Sequence, residues 1–430
     1  MILITMLCVA AVLSSASCAK PGAVQVAEGM VDAMAKGDFA AATKDFDTTM
    51  QSVMPAEKTS QMWAQLTAQA GAFKSRTGSR ETQEAGVHIV YVTCQFEKAS
   101  LDLKVVFNSA GQISGLWINP AQSAPVPYKP PSYVHKERFE DSPIVLNKGS
   151  QWELPGTLTV PKGKGPFPAV VLVHGSGPED RDETIGPNKP FKDIAWGLAS
   201  NGVAVLRYEK RSKAYTSPAK WGKDFTVKEE ATDDALAAVK VLRSSTKIDP
   251  KRVFVLGHSL GGLLMPRIGK ADPKIAGLIM LAGCVTESPE DAIRRQVTYI
   301  ASLNGPITDD TKKEIDKQVE TVMKGAPDSY NADLRDYIPT APAMAKSLKQ
   351  PMLILQGSRD YQVTEAGFKI WKDALSSRTD VTCKLYPDLN HLFMTGTGMS
   401  TPAEYQIPGT VAQPVIIDIS DWIKRQQAVK

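Results

Sequence analysis

The hexapeptide Gly257-His258-Ser259-Leu260-Gly261-Gly262 joins a hydroxyl nucleophile to the small residues that a very tight turn requires. It follows the apolar run Val253-Phe254-Val255-Leu256 and precedes the helix-compatible Leu263-Leu264-Met265. A G-x-S-x-G placed between a strand and a helix is a nucleophile elbow. The turn lifts the serine hydroxyl above a sheet edge, and the start of the next helix faces developing negative charge. The chemistry this suggests is acyl transfer, with Ser259 attacking a carbonyl carbon; an ordinary Gly-rich turn is the inert alternative. A serine at its free pKa is a weak nucleophile, so a base must sit beside it.

Only five histidines can supply that base. His258 lies inside the elbow, where its side chain should point away from the hydroxyl. His88 falls in a β-rich run, His135 in a proline-rich stretch, and His174 ends a strand and opens His174-Gly175-Ser176-Gly177-Pro178. His391 remains, in a loop between the run 381–386 and the last helix, and is the candidate base. A carboxylate must hold the imidazole in the correct tautomer. Asp360, in Gly357-Ser358-Arg359-Asp360-Tyr361, directly follows the apolar run 351–356. Its rivals read as turn residues, because Asp380 precedes the last strand and Asp388 is too close in sequence to His391. Two backbone donors should face the oxyanion: the N–H of Leu260, and one from the loop after an early strand. Ser176 is chosen for the second, with Gly175 and Gly177 left open.

These residues need a scaffold that brings distant loops to one edge. From about residue 140 strands alternate with helices, the strands at 156–160, 169–174, 203–208, 253–257, 275–282, 352–356 and 381–386. Several are near-continuous apolar runs, as expected of a parallel sheet covered on both faces. Helices are expected at 191–200, 228–243 and 416–425. This predicts a doubly wound, mostly parallel α/β domain over 140–430, whose ligands bind beyond the C-terminal strand ends. About seventy helix-patterned residues between two of these strands read as a cap inserted at about 285–348. Upstream, helical periodicity over residues 23–72 gives way to β-runs at 88–96, 101–107 and 113–118, a small α+β domain at 23–120. Repeated proline marks 121–139 as a linker.

Residues 140–430 resemble the α/β-hydrolase superfamily, in its dienelactone hydrolase and prolyl-oligopeptidase-like branch. The elbow, the loop 174–178, the segment Gly357-Ser358-Arg359-Asp360 and the segment Asn390-His391-Leu392-Phe393 occur in the family's order. Its triad acid falls between serine and histidine along the chain, as Asp360 does. The first domain resembles NTF2-like accessory domains, and the pairing, with the stretch 180–191, resembles exported bacterial esterases of that branch. The resemblance implies a serine esterase that cleaves small-molecule carboxylic esters through an acyl-enzyme and needs no metal or cofactor. A serine peptidase is the enzyme alternative, although its known relatives commonly carry a propeller or another large gating domain. A non-catalytic envelope binding protein is the alternative from another class. The charged clusters 180–183 and 207–211 read as solvated loops or mutual ion pairs rather than a carboxylate-binding site.

The bulk composition constrains the rest. Hydrophobic residues make up 43% and charged residues 22%, ordinary for a globular protein. The net charge of +4 is diffuse, with no basic stripe to suggest nucleic acid. Residues 1–18 begin with an uncharged apolar run too short to span a bilayer and read as a signal peptide, implying export to the cell envelope or secretion. Small residues before Cys18 also fit a lipoprotein leader, which would attach the protein to a membrane through a lipidated Cys18. Beyond the leader, Cys94, Cys284 and Cys383 form neither a disulfide framework nor a metal motif, and are expected as small buried apolar residues. The first domain could bind substrate, act as a spacer or mediate homo-oligomerisation.

Overall fold

The computed structural model describes residues 22–84, 87–121, 128–216, 221–283 and 287–427. The leader with Cys18, Cys284 and residues 122–127 of the proline-rich stretch lie outside the described residues. The chain forms two compact units, Met1–Pro125 and Val126–Lys430. Among the described residues no helix is long and apolar enough to cross a membrane.

In the first unit, helices Ala23–Ala35, Phe39–Thr43, Thr48–Val53 and Ala56–Ala70 precede an antiparallel sheet of β1 (Phe73–Glu84), β2 (Val87–Phe96), β3 (Ser100–Phe107) and β4 (Ile113–Pro120), in that order. Met30, Val31, Met34 and Phe46 pack against Val90, Val92, Leu103 and Val105. The strand β1 has no counterpart among the expected β-runs, because its sequence is polar and lacks clean alternation. It is held instead by its ladder to β2 and by Arg76, whose guanidinium reaches Asp32 at 2.7 Å and Glu28 at 3.1 Å on the first helix. Cys94 is buried as expected, whereas Cys383 is only half-buried on an outer strand.

The second unit is an eight-stranded sheet of β5 (Phe139–Leu146), β6 (Leu154–Pro161), β7 (Phe167–Val173), β8 (Ala204–Tyr208), β9 (Ile248–His258), β10 (Leu278–Leu281), β11 (Met352–Gly357) and β12 (Val381–Tyr386). The spatial order is β12-β11-β10-β9-β7-β8-β6-β5; β6 runs antiparallel to its neighbours β5 and β8, and the other pairs are parallel. The edge strand β5, mostly exposed and without apolar alternation, is the one the hydrophobic pattern does not reveal. Residues 128–138, expected as linker, belong to this unit. Tyr133 is buried and donates to the carbonyl of Val411 at 2.7 Å, and Tyr128 donates to Asp193 at 2.7 Å.

One sheet face is covered by the helices Pro190–Ser200 and Gln413–Arg425 through Phe191, Leu198, Ile416 and Trp422. The other is covered by Asp234–Ser244, Met265–Ala271 and Glu365–Ala374 through Val239, Leu242, Ile268, Phe368 and Trp371. Coverage on both faces is why β7 to β11 read as continuous apolar runs. The insertion between β10 and β11, expected as a cap, carries the helices Pro289–Ser302, Asp309–Lys324, Asp328–Tyr337 and Ala341–Ser347, the last two of which join the core on the second face through Leu334, Tyr337, Ala341 and Ala345.

Candidate active site

Ser259 follows β9 directly and sits at φ 54°, ψ −116°, a left-handed conformation that a serine adopts only where its surroundings impose it. Its N–H donates to the carbonyl of Leu281 at 2.8 Å and its carbonyl accepts from Leu263 N at 3.0 Å, so the next strand and the following helix both brace the turn. The flanking glycines are steric necessities. A Cβ on Gly257 would lie 2.2 Å from the backbone of Gly261, and one on Gly261 would lie 2.2 Å from the carbonyl oxygen of Val173.

Asp360 and His391 come together beside this turn. His391 Nδ1 lies 2.7 Å from Asp360 Oδ2, with both residues almost fully buried. The carboxylate is fully engaged: Oδ1 accepts from the backbone N–H of Gln362 at 2.8 Å and Val363 at 2.9 Å, and Oδ2 also accepts from Gln356 Nε2 at 3.1 Å. An acceptor fixed in this way keeps the imidazole proton on Nδ1 and leaves Nε2 as the basic nitrogen. The histidine loop is held by Asn390, whose Oδ1 accepts from Leu392 N and Met394 N at 3.0 and 3.1 Å.

The side chain of His258 is engaged in a network the sequence does not announce. Its Nε2 donates to the carbonyl of His391 at 2.9 Å, its Nδ1 lies 3.0 Å from Glu183 Oε2, and its ring packs on that of His391 with centroids 4.6 Å apart. Both neighbours are acceptor groups, a carbonyl within hydrogen-bond reach and a carboxylate within ion-pair distance, and together they favour the protonated ring. Burial opposes that charge, but the Glu183 carboxylate outweighs it and holds His258 above its ordinary value of 6.5. Glu183, itself buried, is likewise held below its ordinary 4.5 by His258 against the effect of burial. The other oxygen of Glu183 accepts from Gly175 N at 2.8 Å, so Glu183 and His258 together link the loop after β7 to the loop of His391.

Glu183→Gln is therefore expected to cost about 3 kcal/mol of stability, the usual penalty for stripping one partner from a buried ion pair. A raised histidine contributes below its unfolded value and loses that contribution as pH rises through its folded value; a depressed carboxylate contributes above its own unfolded value. The deficit should thus be widest between about pH 4.5 and 6.5 and narrow at higher pH. Urea unfolding of both proteins across pH 4.5–9 checks it, and a pH-independent gap would remove the charge on His258.

The loop 174–178 is built from below by Lys210, a buried ammonium that donates to the carbonyls of Gly175 at 2.8 Å and Gly177 at 2.9 Å and lies 3.3 Å from Glu230. In a trans peptide N–H and C=O point in opposite directions, so the Gly175 carbonyl facing Lys210 turns the N–H of Ser176 away from it. Since Gly175 N is committed to Glu183, Gly175 is withdrawn as an oxyanion donor. Ser176 and Gly177 remain, with Leu260 N at the first helical position after Ser259. The loop runs close to the elbow: a Cβ on Gly175 would lie 3.3 Å from Ser259 Cβ. His174 is not available for catalysis; its Nε2 bonds the Asp180 carbonyl at 3.0 Å, and burial pushes it down to about 4.

The charged clusters pair with one another or with neighbouring elements. Arg207 is buried against Asp182, Arg181 meets Glu209 at 2.6 Å, and Arg211 grips Asp234 at 2.6 and 3.0 Å. Among the described residues no group of three or more His, Cys, Asp or Glu could hold a metal ion.

A mostly parallel sheet in this order, with a strained serine after the fifth of its strands along the chain and a carboxylate–histidine pair on the loops that follow, defines an α/β-hydrolase. Residues 166–397 match the family described as serine aminopeptidase, S33, and the chain belongs to that family. Residues 27–116 match a family described only as a protein of unknown function. The chain is 39% identical to esterase EstD of Thermotoga maritima over 394 residues, 90% of this chain and 92% of the relative. It is 26% identical to a monoacylglycerol lipase of Mycolicibacterium smegmatis over 244 residues, 53% of this chain and 81% of that one. Among solved structures, an acylaminoacyl peptidase of Pyrococcus horikoshii matches at a TM-score of 0.48 and 16% identity, over 82% of this chain and 56% of that one.

Proposed function

We propose that this protein is a serine esterase that hydrolyses carboxylic esters through an acyl-enzyme on Ser259. The observation that carries the reading is the 2.7 Å contact between His391 Nδ1 and Asp360, which leaves Nε2 free to act as base, on loops flanking a strained serine. Ser259 Oγ attacks the ester carbonyl carbon as its proton passes to His391 Nε2. The tetrahedral oxyanion is received by the N–H groups of Leu260 and Ser176. Loss of each such donor is worth about 3 kcal/mol of transition-state stabilisation. The imidazolium returns its proton to the leaving alcohol, and water activated by the same nitrogen then releases the acid. Ester rather than amide cleavage is supported by the extended similarity to esterase EstD, which spans both units. A second reading, peptidase or amidase activity, is favoured by the family description of residues 166–397.

Two measurements test the proposal. A fluorophosphonate should label Ser259 alone, read by peptide mass spectrometry. A panel of p-nitrophenyl esters of graded acyl length, run beside aminoacyl amides, should show hydrolysis of the esters. Labelling elsewhere would overturn the nucleophile, and amides turned over faster than esters would favour the peptidase.

A further inference from the structure

The turn that carries Asp360 is gripped from two sides. From the sheet, Gln356 at the end of β11 donates to Gly357 O, Asp360 Oδ2 and Val363 O at 3.1, 3.1 and 2.8 Å. From the cap, Arg295 on the helix Pro289–Ser302 donates through Nη1 to the carbonyl of Tyr361 and through Nη2 to that of Gln362, both at 2.8 Å. Its Nε is held by both oxygens of Glu287 at 2.9 Å, which fixes the plane of the fork. One turn further along the helix, Tyr299 stacks on Tyr361 with ring centroids 5.1 Å apart and donates to the carbonyl of Ser400 at 3.0 Å.

The residues Arg295 takes hold of are those that orient the acid. The N–H of Gln362 and of Val363 are the two donors to Asp360 Oδ1. Because the Tyr361 carbonyl and the Gln362 N–H share one peptide plane, as do the Gln362 carbonyl and the Val363 N–H, fixing each carbonyl on one side aims its partner N–H toward the other. A guanidinium fork suits this task because it presents parallel donors in fixed geometry, which an ammonium cannot do.

We infer that Arg295 is a positioning residue: through the Tyr361 and Gln362 peptides it seats Asp360, so the triad acid is in register only when the cap helix is docked. The inference rests on the esterase reading for its kinetic consequence, but not for its structural one. Displacement of Asp360 slows the chemical step rather than substrate binding.

Arg295→Ala is expected to lower kcat for short esters by about 10- to 100-fold, the usual effect of displacing a catalytic group by around an ångström. The rate constant for labelling by a small fluorophosphonate should fall in parallel, with KM nearly unchanged. Arg295→Lys should recover part of both, since one ammonium can still serve one carbonyl. A rise in KM with labelling unchanged would overturn the inference and make Arg295 a substrate-binding residue of the cap. So would equal losses in both variants that merely track a fall in melting temperature. Native-state amide exchange supplies the readout that is independent of catalysis. The Gln362 and Val363 amides should exchange about tenfold faster in Arg295→Ala, as expected when a charged hydrogen bond restraining a local opening is removed. Unchanged exchange at those two amides would sink the clamp even if Ser259 proves to be the nucleophile; faster exchange with Ser259 unlabelled in the unaltered protein would sink the esterase reading and leave the clamp standing.

Discussion

Replacing Ser259 with alanine should cut turnover of short p-nitrophenyl esters by about 10⁴-fold or more while leaving the fold intact. The size follows from what is lost: without Oγ there is no covalent intermediate, and only the oxyanion donors and binding remain to accelerate attack by water. The intact fold follows from how the elbow is made. Its backbone is held by Ser259 N on Leu281 O and by Leu263 N on Ser259 O, contacts that alanine keeps. The strained φ of 54° is also common to both side chains, so the substitution adds no new backbone penalty. Initial rates with protein freed of any unaltered enzyme, beside thermal melts, measure the two effects together. Turnover near that of the unaltered protein would end the assignment of Ser259, because nothing else in the elbow can form an acyl ester.

How far the sequence leads depends on whether a residue's role is local. The elbow could be located from 257–262 because a tight strand-to-helix turn demands glycine at fixed offsets, and the clashes at Gly257 and Gly261 are what that demand consists of. His391 emerged by elimination among few histidines, and Asp360 by standing at the correct end of a strand; the structure brings these two to 2.7 Å. The edge strands β1 and β5 carry no clear strand signal because an edge strand need not bury an apolar face: β1 is polar, and β5 joins the polar Glu140-Asp141-Ser142 to the apolar Ile144-Val145-Leu146 with no alternation between them. Glu183 and Arg295 are less legible still. Arg295 acts on carbonyls of a distant loop, and Glu183 on the N–H of Gly175 as well as on the His258 ring; backbone groups leave no signature in residue type. The 180–183 cluster gave notice of charge, but not that Glu183 would turn inward to His258 and Gly175 while Asp182 took Arg207. For the same reason residue type alone leaves Gly175 open as an oxyanion donor, and the bond from its N–H to Glu183 is what withdraws it.

Asp360→Asn should be nearly as damaging as loss of the serine, about 10⁴-fold in kcat, and for a reason specific to this carboxylate. The amide that replaces it has one acceptor and one donor, and its orientation is not free. The Oδ1 position receives two backbone N–H groups, from Gln362 and Val363, so the asparagine carbonyl must stand there. Its NH₂ then falls at the Oδ2 position, facing His391 Nδ1 and Gln356 Nε2. Facing a donor, Nδ1 must become the acceptor, which moves the imidazole proton to Nε2 and leaves no lone pair there to take the proton of Ser259. Gln356 loses one acceptor but keeps the carbonyls of Gly357 and Val363, so the loop should survive. Asp360→Ala provides the contrast. It would leave the Gln362 and Val363 amides buried without partners, at about 1–3 kcal/mol each, and so should lower both activity and stability. The tautomer account therefore requires kcat to collapse in Asp360→Asn with little change in melting temperature, and in Asp360→Ala together with it. An Asp360→Asn enzyme within about tenfold of the unaltered rate would show that the buried carboxylate does not orient the base, and would return the role to another acid.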